Sequence, residues 1–207
     1  MKVLNFALGQ MQANCYFLID GEECLIIDPA DEASFILEEL QRRKLKLVGM
    51  LATHGHFDHI MAAGEIQKSL DVALYIDNKD MFLIDRLEET AEYFLGYKPI
   101  VIKPVLINRL INTKNKLGFF ELSVYHSPGH TPGSSCFFFK NEKVIFTGDT
   151  LFKRGIGRYD FSYSSKKDLK KSLKKLLKLP NDTVVYPGHG ESTTIKEEKD
   201  ILKIYPL

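Results

Sequence analysis

Residues 53–59 read THGHFDH and directly follow the apolar run LVGMLA at 47–52. The stretch holds three histidines and one aspartate within six residues, although the whole chain has only six histidines. Four potential ligands so close together cannot all reach one tetrahedral ion comfortably, but they can serve two ions a few Å apart. The stretch therefore predicts a site for two metal ions at the end of a buried strand, completed by ligands from distant segments.

Three later segments have the same local organisation, in which a polar residue flanked by Gly or Pro follows a strand-like run. They are SPGHTPGSS with His130, TGDT with Asp149 and YPGHG with His189. A lone buried His or Asp is more often a satisfied polar group than a ligand, but here five of the six histidines occupy such positions. The joint pattern predicts metal ligands on a rigid sheet edge. The sixth histidine, His126, is predicted to pack or to support a ligand rather than to bind metal.

Short strands punctuated by helices dominate the rest of the chain. Strands are predicted at 2–8, 15–20, 23–28, 46–52, 72–76, 101–106, 119–126, 134–140, 143–147 and 183–186. Helices are predicted at 32–43, 58–69, 78–88, 165–178 and 195–203. The stretch TAEYFLGYKP (90–99) has no clean period and is predicted to be a loop or a broken helix. Strands followed by helices, twice over, indicate two packed sheets with helices outside, an α/β layered sandwich.

Composition and charge limit the function classes. The chain has 207 residues, a formal net charge of +1 and 44% hydrophobic residues, which suits one soluble domain without a global attraction to nucleic acid or membranes. No apolar run approaches the ~20 residues needed to cross a bilayer, and polar residues interrupt the N-terminal stretch before a signal peptide could form. Cys15, Cys24 and Cys136 lie in apolar runs, which predicts buried reduced thiols and a cytoplasmic location.

A lysine-rich segment, SSKKDLKKSLKKLLKL at 164–179, carries one stripe of leucines. The pattern favours a solvated outer helix that buries its leucine face. The alternative is a docking face for an anionic partner.

Taken in order, THGHFDH, SPGHTPGSS, TGDTLF and YPGHG resemble the signature motifs of the metallo-β-lactamase superfamily. The sequence around them is most similar to that of the glyoxalase II-like branch, and the resemblance covers essentially the whole chain. It implies a four-layer αβ/βα sandwich formed by residues 1–207 as a single domain, with the site at one edge of the two sheets.

The resemblance also implies a ligand assignment. His54, His56 and His130 would hold one metal, while Asp58, His59 and His189 would hold the other and Asp149 would bridge them. Asp28, at the end of CLIID, matches a carboxylate that supports the ligands through hydrogen bonds. The alternative for Asp28 is a turn residue before Pro29.

The implied cofactors are two divalent ions. Zinc is the expected metal, and iron and manganese are the alternatives. Ions in such a pair lower the pKa of a shared water toward ~7, and the resulting hydroxide attacks a carbonyl. Asp58 and Asp149 are the implied catalytic carboxylates. A small-molecule thioester such as S-lactoylglutathione suits the site, because a thiolate of pKa about 8.5 leaves without a general acid.

Two departures from glyoxalase II affect the substrate. Only 17 residues follow Gly190, so the C-terminal helical substrate subdomain of full-length glyoxalase II is expected to be absent. In GIGRYDF (155–161), Arg158 stands where glyoxalase II has a basic residue that contacts glutathione, but Asp160 replaces the expected Tyr. Arg158 is therefore predicted to bind substrate, and the alternative is a local pair with Asp160.

Two other activities share this site. Persulfide dioxygenases have a similar sequence in the segment that matches residues 154–161. They use one iron, which the counterparts of His54, His130 and Asp149 would hold as a facial triad. The segment YPGHG favours the hydrolase over the dioxygenase. A lactonase would use the same two ions on a different ester.

Overall fold

The computed structural model describes residues 1–109 and 114–205 and contains two six-stranded sheets. The first sheet has its strands in sequence order: β1 (Lys2–Leu8), β2 (Ala13–Asp20), β3 (Glu23–Ile27), β4 (Lys46–Leu51), β5 (Leu74–Ile76) and β6 (Ile107–Arg109). β1 to β3 pair antiparallel, whereas β3 to β6 pair parallel. Parallel pairing directs the ends of β3 and β4 to the same sheet edge.

The second sheet consists of β7 (Lys114–Leu117), β8 (Phe120–His126), β9 (Ser135–Phe139), β10 (Val144–Gly148), β13 (Val184–Pro187) and β14 (Thr193–Thr194). Across the sheet these strands lie in the order β14-β13-β10-β9-β8-β7. A small hairpin of β11 (Leu151–Phe152) and β12 (Gly155–Ile156) follows β10. β10 and β13 are parallel, so both end at the edge that also receives the loop after β8.

The helices lie outside the sheets. They are α1 (Ala33–Arg42), α2 (Phe57–Ile60), α3 (Ala63–Ser69), α4 (Met81–Asp85), α5 (Leu87–Leu95), α6 (Lys166–Leu176) and α7 (Ile201–Ile204). Among the described residues, no helix combines the length and the apolar character that a bilayer crossing requires.

Alternation along the strands explains the layers, because successive side chains of a strand point to opposite faces. In β2, Phe17 packs into the cluster under α1, α3 and α5, whereas Leu18 packs into the cluster between the two sheets. In β10, Phe146 joins the cluster between the sheets and Ile145 joins a third cluster, under α6. Three buried clusters separate four layers, which confirms the predicted αβ/βα sandwich.

The lysine-rich segment folds as the predicted outer helix. Leu169, Leu173 and Leu176 are buried in the third cluster. Ser165 caps α6 by accepting a hydrogen bond from the Asp168 N–H. Docking of a partner on the lysine face stays a prediction.

Several element predictions were wrong. In the region 90–99, predicted to be a loop or a broken helix, α5 continues to Leu95 and ends at Gly96 with φ 77°, so only the loop alternative was wrong. Residues 101–106 form no strand, and β6 follows them instead. Pro104 lacks an N–H for a sheet ladder. The N–H groups of Val105 and Leu106 donate to the Gln67 side chain.

Helix boundaries also differ from the predicted ones. The predicted helix 58–69 is two helices, α2 and α3, and the predicted helix 78–88 is a 3₁₀ turn (Asn78–Asp80), α4 and the start of α5. The predicted helix 195–203 is reduced to α7, because residues 195–200 form turns. The short strands β7, β11, β12 and β14 had no alternating pattern long enough to indicate them.

Candidate metal centre

Three imidazoles converge where β4 and β8 end, and we call this group half-site 1. Nε2 of His54 and Nε2 of His130 each lie 3.0 Å from Nδ1 of His56. The three ligand atoms lie within 4.8 Å of one another. The structure thus brings together the residues predicted to hold the first metal.

The other ring nitrogen of each imidazole in half-site 1 already has a partner. His130 Nδ1–H donates to the carbonyl of Arg158 at 2.8 Å, and His54 Nδ1 lies 3.0 Å from the Thr53 hydroxyl. His56 Nε2 lies 2.8 Å from the Tyr163 hydroxyl. Partners of this kind fix the ring orientation and tautomer, so that the converging nitrogens present lone pairs to the centre.

Half-site 2 consists of Asp58, His59 and His189. Nε2 of His189 lies 3.2 Å from Asp58 Oδ2 and 3.2 Å from Nε2 of His59. His189 is the more open imidazole, with 29% of its side chain exposed, and its Nδ1 lies 3.3 Å from the carbonyl of Gln12 in the turn between β1 and β2. These are the residues predicted for the second metal.

Asp149 stands between the half-sites. Its Oδ2 lies 3.6 Å from His130 Nε2, and its Oδ1 lies 3.5 Å from His59 Nε2. Oδ1 is buried and has no hydrogen-bond partner among the described residues. A carboxylate whose two oxygens face different ligand groups has the geometry of a bridge.

Asp28 connects β3 to both half-sites. Its carboxylate accepts hydrogen bonds from Thr53 N–H and from the Thr53 hydroxyl, each at 2.7 Å, and lies 2.9 Å from His59 Nδ1. The Thr53 hydroxyl in turn faces His54. Asp28 therefore orients one imidazole directly and another through Thr53, which goes beyond the role of a turn residue before Pro29.

Two glycines allow the loops to approach the ligands closely. Gly148 has φ 47°, and a Cβ at this position would overlap the Thr53 side chain. A Cβ at Gly188 would overlap Asp149 Oδ1 and lie 2.7 Å from the His59 ring. The glycines in TGDT and YPGHG are thus required by the packing of the centre.

The two half-sites differ in electrostatics. Burial and neighbouring imidazoles lower the pKa of His54 well below its usual value and that of His56 to about 3. Burial opposes protonation of His59 as well, but Asp58, Asp149 and Asp28 outweigh it and raise the pKa of His59 to about 10. His54 and His56 of half-site 1 are therefore neutral imidazoles, whereas half-site 2 combines imidazoles with concentrated negative charge.

The donor set fits two transition-metal ions. Zn–N distances of 2.0–2.1 Å at tetrahedral angles place two ligand nitrogens about 3.3 Å apart, close to the 3.0–3.2 Å between the facing imidazole nitrogens. The unpartnered oxygen of Asp149 also points into this space. Nitrogen and carboxylate donors suit zinc, iron and manganese, so chemistry alone leaves the metal open.

Sequence reasoning missed two residues that hold half-site 1. Asp80 is fully buried and accepts hydrogen bonds from the Gly55 N–H (3.0 Å), the Thr131 hydroxyl (2.6 Å) and the Gly133 N–H (2.6 Å). It thereby ties THGHFDH to SPGHTPGSS. Its only signal was an acidic residue shortly after a strand, which is common at turns.

Tyr163, the second missed residue, stacks on Phe161 with ring centroids 5.4 Å apart and reaches His56 with its hydroxyl. Nothing in the sequence joins residues 56 and 163.

The structure shows the alternative given for Arg158, the local pair, because its guanidinium donates to both carboxylate oxygens of Asp160 at 2.9 Å. Arg158 is also one of the residues that line the cavity beside the ligands. Substrate binding by Arg158 stays a prediction. His126 lies outside the three candidate ligand groups, 3.4 Å from Asp77 and 3.4 Å from Lys79.

Comparison with known proteins places this centre in a family. The hydroxyacylglutathione hydrolase GloC of Haemophilus influenzae is 40% identical, over 96% of this chain and 95% of that protein. Among solved structures, the BLEG-1 B3 metallo-beta-lactamase has a TM-score of 0.89 at 33% identity, covering 96% of this chain and 97% of that one.

The di-iron-bound form of TTHA1623 has a TM-score of 0.87 at 36% identity, covering 94% of this chain and 96% of that one. The sequence model of the metallo-beta-lactamase superfamily matches residues 8–189, a span that contains every candidate ligand. The chain therefore belongs to the metallo-β-lactamase superfamily of metal-dependent hydrolases.

Proposed function

We propose that the chain hydrolyses thioesters of the S-acylglutathione type with two divalent metal ions, zinc first, bound in half-sites 1 and 2. The observation that carries the proposal is the placement of Asp149, whose two oxygens face different half-sites. A mononuclear iron site would not need the carboxylate of Asp58 opposite His189. Asp58 and Asp149 are the proposed catalytic carboxylates.

The ions, when bound, would activate a water as the nucleophile and polarise the substrate carbonyl. The chain holds Asp58 ionised, because His59 and His189 lower the pKa of its carboxyl although burial opposes them. Asp58 therefore cannot donate a proton to the leaving group at neutral pH. A thiolate, with a pKa of about 8.5, can leave without one, which favours a thioester over an alkyl ester.

Tyr163 supplies a neutral donor beside half-site 1. Burial raises the pKa of its phenol to about 12, so the hydroxyl keeps its proton at neutral pH. With Nδ1 of His56 turned toward half-site 1, Nε2–H donates to the Tyr163 oxygen. The phenol hydrogen is then free to contact a substrate oxygen in the cavity that both side chains line.

The glutathione part of the proposal rests on similarity to GloC and on Arg158. Glutathione carries two carboxylates, and a guanidinium binds a carboxylate through two parallel hydrogen bonds. Arg158 would exchange Asp160 for the substrate. The proposal includes a cytoplasmic location, which three buried cysteines without disulfides support.

The deciding experiment follows thiol release and oxygen consumption together. The metal-loaded protein is given S-acetylglutathione and S-lactoylglutathione, and separately glutathione persulfide, a homoserine lactone and a β-lactam. We expect release of one thiol per thioester and no oxygen uptake. Oxygen uptake matched to sulfite formation from the persulfide would identify a dioxygenase instead, and faster turnover of the lactone or the β-lactam would replace the thioester assignment.

A further inference from the structure

The cavity beside the metal centre has two unlike sides. On the side of half-site 2, its lining includes Met11, Phe57 and Phe94. Met11 precedes Gln12, whose carbonyl faces His189. Phe57, which lies between His56 and Asp58 in the sequence, lines a second small cavity together with Met11 and Asp58. This apolar surface, which we call the Met11–Phe94 wall, therefore adjoins half-site 2.

The Met11–Phe94 wall is built on the ligand loop itself. The Phe94 ring, from α5, stacks on the buried Phe57 with centroids 5.9 Å apart and an interplanar angle of 16°. Phe94 and Met11 nevertheless each keep 41% of their surface exposed. Two large apolar side chains are thus held beside a polar centre with free surface toward the cavity.

The side of the cavity beside half-site 1 is aromatic and cationic. Phe161 lies 5.3 Å from the His56 ring and 5.8 Å from the His130 ring, which places it beside half-site 1. The Arg158 guanidinium lies over the Phe161 ring at 4.5 Å. Among the described residues that line the cavity, Arg158 alone carries a permanent positive charge.

We propose that the Met11–Phe94 wall is an acyl-binding subsite, and that the preferred substrates are thioesters of apolar acyl groups of about four carbons or more, aromatic ones included. The inference rests on the proposed thioester hydrolysis and adds the substrate class. The anionic thiol carrier lies on the Arg158 side, and the scissile carbonyl lies between the two half-sites. Covering apolar surface lowers the free energy of binding in proportion to the area removed from water. A small hydroxyacyl group such as lactoyl leaves most of the wall exposed to water.

The test compares kcat/KM for a series of glutathione thioesters that differ only in the acyl group: acetyl, lactoyl, butyryl, hexanoyl and phenylacetyl. We expect kcat/KM for the hexanoyl and phenylacetyl thioesters to exceed kcat/KM for the acetyl and lactoyl thioesters by about tenfold, because the wall covers only one side of the added apolar groups. Equal values for all five would overturn the subsite while leaving the thioesterase in place.

Phe94→Ala should remove most of the preference for the long acyl groups over the acetyl group. The matched control is Tyr97→Ala, because Tyr97 is an aromatic residue just after α5, is 55% exposed and does not line the cavity. Phe94→Leu should retain part of the preference, and it guards against a loss caused by misfolding of Phe94→Ala. An unchanged preference in a folded Phe94→Ala variant would contradict the proposal.

A binding measurement separates this inference from the proposed function. Hexanoate and acetate are titrated into the metal-loaded wild type and Phe94→Ala proteins by calorimetry. We expect hexanoate to bind about tenfold more tightly than acetate in the wild type and equally in the variant. If no thioester is hydrolysed but this difference is found, the proposed function fails and the apolar subsite stands. If hexanoate and acetate bind equally to the wild type, the subsite is wrong whatever the reaction.

Discussion

Half-site 1 and half-site 2 lie side by side but are built differently. Half-site 1 contains only imidazoles, and the second nitrogen of each has a partner. Half-site 2 contains one carboxylate and two imidazoles, of which His189 is partly exposed and has a long contact of 3.3 Å with a turn carbonyl. Hydrogen bonds fix the side-chain positions in half-site 1, whereas half-site 2 would attract a cation mainly through its negative charge.

This difference indicates how each half-site would hold its ion. Rigid ligands bind a cation through preorganised lone pairs, so the affinity depends on the hydrogen-bond partners that orient them. Charged ligands on a partly exposed segment attract the cation strongly but define its position less. Asp149 couples the two arrangements because each of its oxygens faces one of them.

The largest effect is expected for Asp149→Ala. Removing the carboxylate takes a ligand from both half-sites, so the metal content should fall from about two ions per chain to nearly none, with activity at the level of the metal-free protein. Metal analysis by mass spectrometry after desalting checks this. The control is Asp160→Ala, which removes an exposed carboxylate that pairs with Arg158 and lies outside the candidate ligand groups. Loss of only one ion would mean that the half-sites are independent.

His189→Ala and His130→Ala test the half-sites separately. His189→Ala should retain about one ion, in half-site 1, because the three imidazoles of that group are untouched. His130→Ala removes an imidazole beside the bridging carboxylate and should weaken both ions. His126→Ala is the matched control, since this histidine lies outside the candidate ligand groups. Equal metal loss from His189→Ala and His130→Ala would remove the distinction between the half-sites.

Asp80→Asn tests whether half-site 1 depends on buried support. The amide nitrogen cannot accept the hydrogen bond that one carboxylate oxygen now accepts, so a buried donor is left unpaired. We expect the free energy of unfolding to fall by about 1–3 kcal/mol. We also expect affinity for the first ion to fall about 10–100-fold, as is usual for partners of ligands. Chelator competition measures the affinity.

Asp77→Asn is the control for Asp80→Asn, because Asp77 contacts Lys79 and His126 rather than the ligand loops. A stability loss without any change in metal affinity would show that Asp80 supports the fold but not half-site 1.

Tyr163→Phe should have a smaller effect: kcat should fall about tenfold and the metal content should stay the same. The variant loses the hydroxyl that contacts His56 and faces the cavity but keeps the ring stacked on Phe161. Tyr159→Phe serves as the comparison, since Tyr159 is a partly exposed tyrosine in the same loop. If kcat is unchanged and only the affinity for metal falls, Tyr163 acts by orienting His56 alone.

The smallest effect is expected for Arg158→Ala. An exposed guanidinium that binds ground and transition states alike should raise KM by about threefold to tenfold for anionic substrates and leave kcat nearly unchanged. Asp160→Asn, which frees Arg158 from its partner, should lower KM or leave it constant. An unchanged KM with a lower melting temperature would assign Arg158 a structural role.

The ligands could be predicted from the sequence because metal coordination requires particular side chains, and these follow strands that can be recognised. The supports of the ligands could not. Asp80 and Tyr163 contact residues that are far away in the sequence, and no local sequence pattern predicts such contacts. The helix Leu87–Leu95 was missed for a related reason. It buries only Leu87, Ala91 and Leu95, whereas Tyr93 is 81% exposed and Phe94 is 41% exposed, so its apolar period is obscured.

The ligands are widely spaced along the chain, and this has a consequence for protein synthesis. All three ligands of half-site 1 have been synthesised once His130 has been translated, whereas half-site 2 lacks a ligand until His189 has been translated. At about 5–20 residues per second, roughly 3–12 s separate the two events on a ribosome. The order of translation therefore favours capture of the first ion by imidazoles alone. The second ion can be held only after β13 has paired with β10 and brought His189 to the growing centre.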